Sequence, residues 1–423
     1  MDCVDMFLND KPNGRNTMKI RLSVFSLLLG VAAFAYTVGC SARNEDTSQG
    51  SLKEISLQPY QTELLDIAFQ AASAMPVFPH IKNRSRAQEM VVTACFELDQ
   101  PSRASRYIEQ IGNWRRGAGY ADLALYYAQH GAKEKVESYL KLADRISEEA
   151  EDWRKDRIKV KIAGVYAYLG QTDKASRFEQ GIEASEMGKM ARIEAMVCPE
   201  ESFNKKMEEL DHLVSGKDFD IVKNALEVYP ELYKRFYTNV ERRALIEKKM
   251  KASWNNMPIS VRIDLLTELV NFSLDRGDTE KALELVNEAG AMMDSTTWPI
   301  RFDIPLKARL AGLRYRSGDR DRARTEIQYA LDMFNANREK IINIYRAGIL
   351  RSIAEGYQAM GDITKALDLY KQALEAGIEN PNSRPRAEDL TATCCSMALH
   401  AVEPSAGLLN RIREIRGGLG DPW

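Results

Sequence analysis

Residues 353–373 read IAEGYQAMGDITKALDLYKQA, and the organisation of most of the chain follows from that stretch. Ile353 and Ala354 lie eight and seven residues before Gly361, and Tyr357 lies four before it. Ala366, Tyr370 and Ala373 follow it by five, nine and twelve. Offsets of three, four and seven put apolar side chains on one face of a helix. Gly361, between two such faces, supplies the positive φ that ends a helix. Asp362 then offers a side-chain oxygen to the orphan N–H groups of the next helix. The stretch predicts two helices folded back on each other across a glycine turn.

The same pattern recurs at Asp99, Gly131, Gly170, Gly277 and Gly318. Five residues on stand Ala104, Val136, Ala175, Ala282 and Ala323, and eight before stand Val91, Leu123, Ile162, Leu269 and Leu310. Asp278 and Asp319 repeat the cap of Asp362. Small residues at these places let helices approach closely, and larger apolar residues fill the remaining space. The spacing is uneven: 32 residues from 99 to 131, 39 from 131 to 170, 41 from 277 to 318 and 43 from 318 to 361.

These residues resemble the tetratricopeptide repeat family, whose period is about 34 residues. The copies at Gly277 and Gly318 have Ser273 and Arg314 where the family has Tyr, and the early Trp of the repeat is absent. The resemblance implies an all-α, right-handed α-α solenoid of tetratricopeptide-like hairpins. It also implies a concave groove lined by the first helix of each hairpin, along which a protein or peptide partner lies. Carried over position by position, it assigns partner contacts to Arg157, Asn271, Tyr315, Arg351, Glu355 and Gln358, and turn roles to Gly131, Gly170, Gly277, Gly318 and Gly361. Gly312 and Gly348 leave room for that partner. The Lys/Asn clamp that some members use for a terminal carboxylate is missing.

The rest of the chain divides around the repeats. Residues 57–190 and 257–416 hold the two runs, and 191–256 reads as an irregular helical segment or degenerate repeat. Two apolar helical stretches, 386–401 and 404–416, predict a final hairpin that caps the array, since an end repeat otherwise exposes a hydrophobic face. Residues 417–423 form a Gly-rich tail ending in Trp423.

At the front, Leu22 to Ala35 is an apolar run preceded by Met18-Lys19-Ile20-Arg21, the pattern of a secretory signal. It passes into Thr37-Val38-Gly39-Cys40, which resembles the lipobox of bacterial lipoproteins although Thr37 stands where Leu is preferred. The resemblance makes Cys40 the lipidation site, and because Asp2, Asp5 and Asp10 dilute the positive charge of residues 1–17, translation is expected to begin at Met18. An uncleaved anchor over Leu22 to Val38 is the other reading. Both put the body outside the cytoplasm, tethered to the cell envelope through a polar linker over 41–56.

The balance of 59 Lys and Arg against 61 Asp and Glu, net −2, gives no excess of cations for nucleic-acid phosphates. The sequence contains no HExxH, GxSxG, GxxxxGK[ST] or GxGxxG motif, and its four histidines are scattered. No catalytic residue, metal site or cofactor is expected from it. Cys95 and Cys394 sit in apolar helical stretches as small buried hydrophobes. The expectation is a non-enzymatic, envelope-tethered interaction scaffold. An accessory or regulatory subunit of an envelope enzyme or secretion complex is the alternative.

Overall fold

A computed structural model describes residues 54–423 apart from Asn256. The anchor segment, Cys40 and most of the linker lie outside these residues. The described residues begin with α1 (Pro59–Ala74), α2 (Val77–Glu97), α3 (Pro101–Ile108), α4 (Arg115–Gln129), α5 (Lys133–Glu149), α6 (Asp152–Tyr168) and α7 (Thr172–Glu179). Shorter helices follow: α8 (Ala184–Met196), α9 (Phe203–Val214), α10 (Phe219–Leu226), α11 (Tyr229–Arg235) and α12 (Val240–Ser253). Long hairpins then resume with α13 (Ile259–Asp275), α14 (Thr279–Asp294), α15 (Ile300–Arg316), α16 (Arg320–Asn337), α17 (Asn343–Ala359) and α18 (Ile363–Ile378). The last helices are α19 (Ser383–Leu399) and α20 (Ala406–Gly417). The described residues form an all-α solenoid of repeated hairpins with no strand among them.

The turns follow from the residues at them. Gly131, Gly170, Gly277, Gly318 and Gly361 have φ of 79°, 73°, 74°, 105° and 79°. Asp99 adopts the same left-handed conformation at 53°, and so does Ala401 at 51°. The N–H after the turn residue bonds back to the carbonyl four before it: Ala132 to Tyr127 at 2.9 Å, Asp362 to Tyr357 at 3.0 Å and Val402 to Met397 at 2.9 Å. That bond satisfies a helix-end carbonyl that would otherwise be orphaned. Asp278 and Asp362 accept from the N–H groups of Lys281 and Lys365, as an N-cap should, whereas Asp319 makes no such bond.

The repeat positions form the core. Val91, Leu123, Ile162, Leu269, Leu310 and Ile353 are buried, as are Ala104, Val136, Ala175, Ala282, Ala323 and Ala366. The place held by Tyr127 and Tyr357 is filled elsewhere by Cys95, Tyr166, Ser273 and Arg314, all buried. Arg314 is only 1% exposed, and it reaches Glu326 Oε2 at 2.8 Å and the Asn287 side chain.

The array closes on itself. Each first helix packs on the next: α2 on α4, then α6, α8, α11, α13, α15, α17 and α19, and α19 returns to α2. α1 packs along α19 much as α18 packs along α17, so the first described helix completes the last hairpin. One core cluster therefore joins the two ends of the described array, holding Leu64 to Ala175 from the first hairpins and Ile304 to Ile415 from the last. The sequence pattern assigns that partnership to α20, as a cap on an exposed end. The two ends of the array instead cover each other, and α20 lies over the junction of α1, α18 and α19, burying Leu408, Ile412 and Ile415.

The central helix of the closure is α19, buried at every position from Ala387 to Ala398. A helix packed on all sides has no polar face to give, which suits its run of small residues, Thr391-Ala392-Thr393-Cys394-Cys395-Ser396. Trp423 packs with Ala72, Met75, Ala87 and Ala387 at the same junction, so the tail docks. Cys95, Cys394 and Cys395 are buried free thiols.

Candidate functional site on the inner helical wall

The first helices touch their neighbours all round the circuit, whereas the second helices pack chiefly on first helices. The set in continuous contact lies at the smaller radius, so α2, α4, α6, α8, α11, α13, α15, α17 and α19 form the inner wall. Charged pairs bridge most of its seams. Arg115 meets Glu89 between α4 and α2, and Lys161 meets Asp122 between α6 and α4. Arg157 grips Glu186 on α8 in two bonds, Nη2 to Oε1 at 2.7 Å and Nε to Oε2 at 3.2 Å. Arg192 on α8 spans two helices, reaching Glu231 at 3.0 Å and Glu268 at 3.2 Å. Arg309 meets Asp264 at 2.7 Å between α15 and α13. At the α15–α17 seam Arg301 lies over the Tyr345 ring at 5.6 Å, and Gly312 and Gly356 let the two backbones meet.

Burial sets the electrostatics of this wall. It raises the Glu268 carboxyl, against the pull of Arg192 and Lys234. It pushes the Lys189 ammonium down to about 8, helped by the neighbouring Arg157 charge. Glu186 ends below the usual carboxylate range because Arg157 and Lys189 outweigh the burial that would raise it. At the closure, burial raises Asp389 to about 7 and Glu97 to about 8, and lowers the His400 imidazole.

The residues carried over from the family pattern fall on or beside this wall, and most are engaged within the chain. Arg157 holds Glu186 and stacks between Trp114 and Trp153, at 5.8 and 5.0 Å. Asn271 Oδ1 accepts from Arg316 at 3.3 Å, and Glu355 Oε1 accepts from Ser396 Oγ at 2.6 Å. Gln358 Nε2 donates to the His400 carbonyl at 3.0 Å. Tyr315 lies under Arg320 and Arg324, at 5.4 and 5.5 Å, on the side of the following helix. Arg351 is half-buried, with Nη1 unpaired. Gly312, read as room for a partner, is closed off: a Cβ there would lie 3.4 Å from Ala359 Cβ.

Sequence reasoning passed over a row one step aside. Asp122, Lys161, Glu268 and Arg309 each lie nine residues before their turn residue, at 131, 170, 277 and 318, and each joins a cross-helix pair. Charged residues recurring at that register were visible in the sequence. Their partners were not, because these depend on how neighbouring hairpins are offset.

The described residues hold no group of three His, Cys, Asp or Glu side chains placed to bind a metal ion. A depression of about 260 Å³ between α17 and α18 is lined by Arg338, Asp368, Lys371, Gln372 and Glu375. Its Glu375 is held by Arg411 at 2.8 and 3.0 Å, and its Arg338 by Glu379. No described helix is long and apolar enough to cross a membrane. What this wall offers chemically is a fixed array of charges and hydrogen-bonding groups on a rigid circuit.

No family model matches the chain, and no curated protein matches it. Among solved structures, one described as a "Circular tandem repeat protein with novel repeat topology and enhanced subunit contact surfaces" is similar at 15% identity. The match covers 85% of this chain and 94% of that one, with a TM-score of 0.21. The closure of the array is set by this chain's own helix contacts.

Proposed function

We propose that this chain is a non-enzymatic protein-interaction scaffold, built of tetratricopeptide-like hairpins and held at a bacterial envelope membrane through a lipidated Cys40. The observation that carries the reading is the inner wall itself, a continuous surface of fixed charges on a repeated framework. Preorganised side chains of this kind lower the ordering cost of binding a protein surface. Arg351 and Tyr315 are the partner contacts in this reading, since Arg and Tyr commonly dominate interface energies. The near-neutral charge balance supports a protein partner over a nucleic acid.

The test is affinity capture of the full-length protein and of its Cys40→Ala, Arg351→Ala and Tyr315→Ala versions, with mass spectrometry for lipid on Cys40. The reading expects a lipid on Cys40 and a reproducible partner that both groove variants weaken without unfolding the chain. A chain without lipid, or a partner indifferent to both variants, refutes the corresponding half. A partner held in fixed stoichiometry with an enzymatic activity would favour the accessory-subunit alternative.

A further inference from the structure

The inner helices α2, α4 and α6, and likewise α13, α15, α17 and α19, are separated by single returning helices, so within each run they point in one direction and their N-terminal ends share one rim. Within it, the starts of α17, α19, α2 and α4 are neighbours. Arg346 Nη1 on α17 meets Glu379 Oε2, just before α19, at 2.7 Å. Asn83 Nδ2 on α2 donates to Glu388 Oε1 on α19 at 2.7 Å. Asn113, just before α4, donates to Ser85 Oγ on α2 at 2.8 Å.

This sector combines two features. Large apolar side chains stand exposed at its tips: Phe78 at 89%, Val77 at 59% and Ile342 at 59%. The four rim segments 77–86, 110–116, 338–346 and 380–387 also carry ten Lys and Arg residues and a single carboxylate, Glu339. Glu379, Glu388 and Glu89, just outside the segments, pair with Arg338, Arg346, Arg384 and Arg115, and cations still outnumber these carboxylates and Glu339 by ten to four. The first turns of α4, α17 and α19 contain no acidic residue, so the positive ends of their dipoles add to that charge, while α2 is kinked, with Phe78 and His80 non-helical. On either side the rim changes, with Asp152 opening α6 and Asp303 opening α15.

We propose that this rim docks on an anionic lipid bilayer, with Val77, Phe78 and Ile342 entering the interfacial layer and the surrounding cations meeting lipid phosphates. The tips stand on two segments of one rim, Val77-Phe78 at the start of α2 and Ile342 before α17, with basic residues beside both. A protein interface places its apolar area in a packed central core. A planar bilayer needs no shape complementarity and accepts separated apolar tips among basic side chains. The proposal goes beyond the scaffold reading and does not depend on lipidation of Cys40.

The test uses the full-length chain carrying Phe78→Trp, or Val240→Trp on the opposite rim, where Val240 is 65% exposed. Emission is measured as the difference from the unmodified chain. Vesicles of phosphatidylcholine with phosphatidylglycerol should shift Phe78→Trp emission to the blue. The shift should grow with the phosphatidylglycerol share, fall in high salt and be absent from Val240→Trp. Phe78→Asp should cut vesicle binding through this rim several-fold, seen as lost amide protection over residues 77–82. The readout is local, so attachment through another part of the chain leaves position 78 unmoved and counts against the proposal. Equal shifts at 78 and 240 overturn it, as does a shift with soluble polyglutamate but not with vesicles.

Discussion

Gln61 Nε2 donates a 2.9 Å hydrogen bond to the carbonyl of Ala398, 337 residues further along the chain. Thr391 Oγ1 returns one to the carbonyl of Ala68 at 3.2 Å. These bonds join α1 to α19, and Leu64 and Leu65 are fully buried in the core that the two helices share. Gln61→Ala should lower stability by roughly 1–3 kcal/mol through the lost bond and the desolvated carbonyl. Leu64→Ala should cost about 2–5 kcal/mol. Thermal melts measure both, and an unchanged melting temperature for Leu64→Ala would mean α1 is not part of the core.

The tail should contribute to the same junction. Ser383 N–H donates to the Pro422 carbonyl at 2.7 Å, and Gly420 N–H donates to Ser383 Oγ at 3.1 Å. Ending the chain at Gly418 removes both bonds and the Trp423 contact with Met75 and Ala387. A loss of about 1–3 kcal/mol is expected, read in urea unfolding. An indifferent truncation would show the tail to be ornamental.

Acidity bears on the closure in a definite sense. Glu97 and Asp389 are raised by burial to about 8 and about 7, above their values in an unfolded chain. Their contribution is complete at pH below the unfolded values and is lost as pH rises through 7 and 8. His400 is lowered by burial, so its contribution is lost as pH falls below the usual histidine range. The contribution of these two carboxyls should therefore decline from the ordinary carboxylate range up to about pH 8 and level off above it. Glu97→Gln and Asp389→Asn should each flatten that decline, measured as melting temperature against pH.

Arg314 takes the buried place that Tyr127 and Tyr357 hold in other hairpins. Its guanidinium joins α14 through Asn287 to α16 through Glu326. Arg314→Ala should destabilise by about 2–5 kcal/mol, since it leaves a buried cavity and unpairs Asn287, while Glu326 keeps Arg322. Arg314→Tyr should be tolerated better, because the repeat elsewhere accommodates that ring. Equal losses for the two variants would deny the equivalence of the positions.

The hairpins were legible in the sequence because their causes are local. A glycine at Gly361 and apolar residues eight before and nine after it fix a turn and two buried faces within one short stretch. The last hairpin's turn was expected between 401 and 404, but not its left-handed Ala401, since alanine gives no signal of that conformation, yet it makes the same backbone bond as Gly361. The closure was illegible for a different reason. Nothing near Gln61 announces a partner 337 residues away, and α19 has no polar face to give a helical period. The cross-helix pairs of Arg192 with Glu231 and Glu268 depend on the offset between hairpins, which no single hairpin encodes.

The closure can be tested most directly at Glu63 and Arg413, paired between α1 and α20 with Arg413 Nε 2.6 Å from Glu63 Oε1. Both are accessible, while Cys95, Cys198, Cys394 and Cys395 are buried. A Glu63→Cys, Arg413→Cys chain, with Cys3→Ser and Cys40→Ser, should be treated at high dilution with a short bis-maleimide. Closure predicts efficient bridging of 63 to 413 within single chains, identified by peptide mass. Bridging only between chains, or none while both thiols remain reactive, would contradict it.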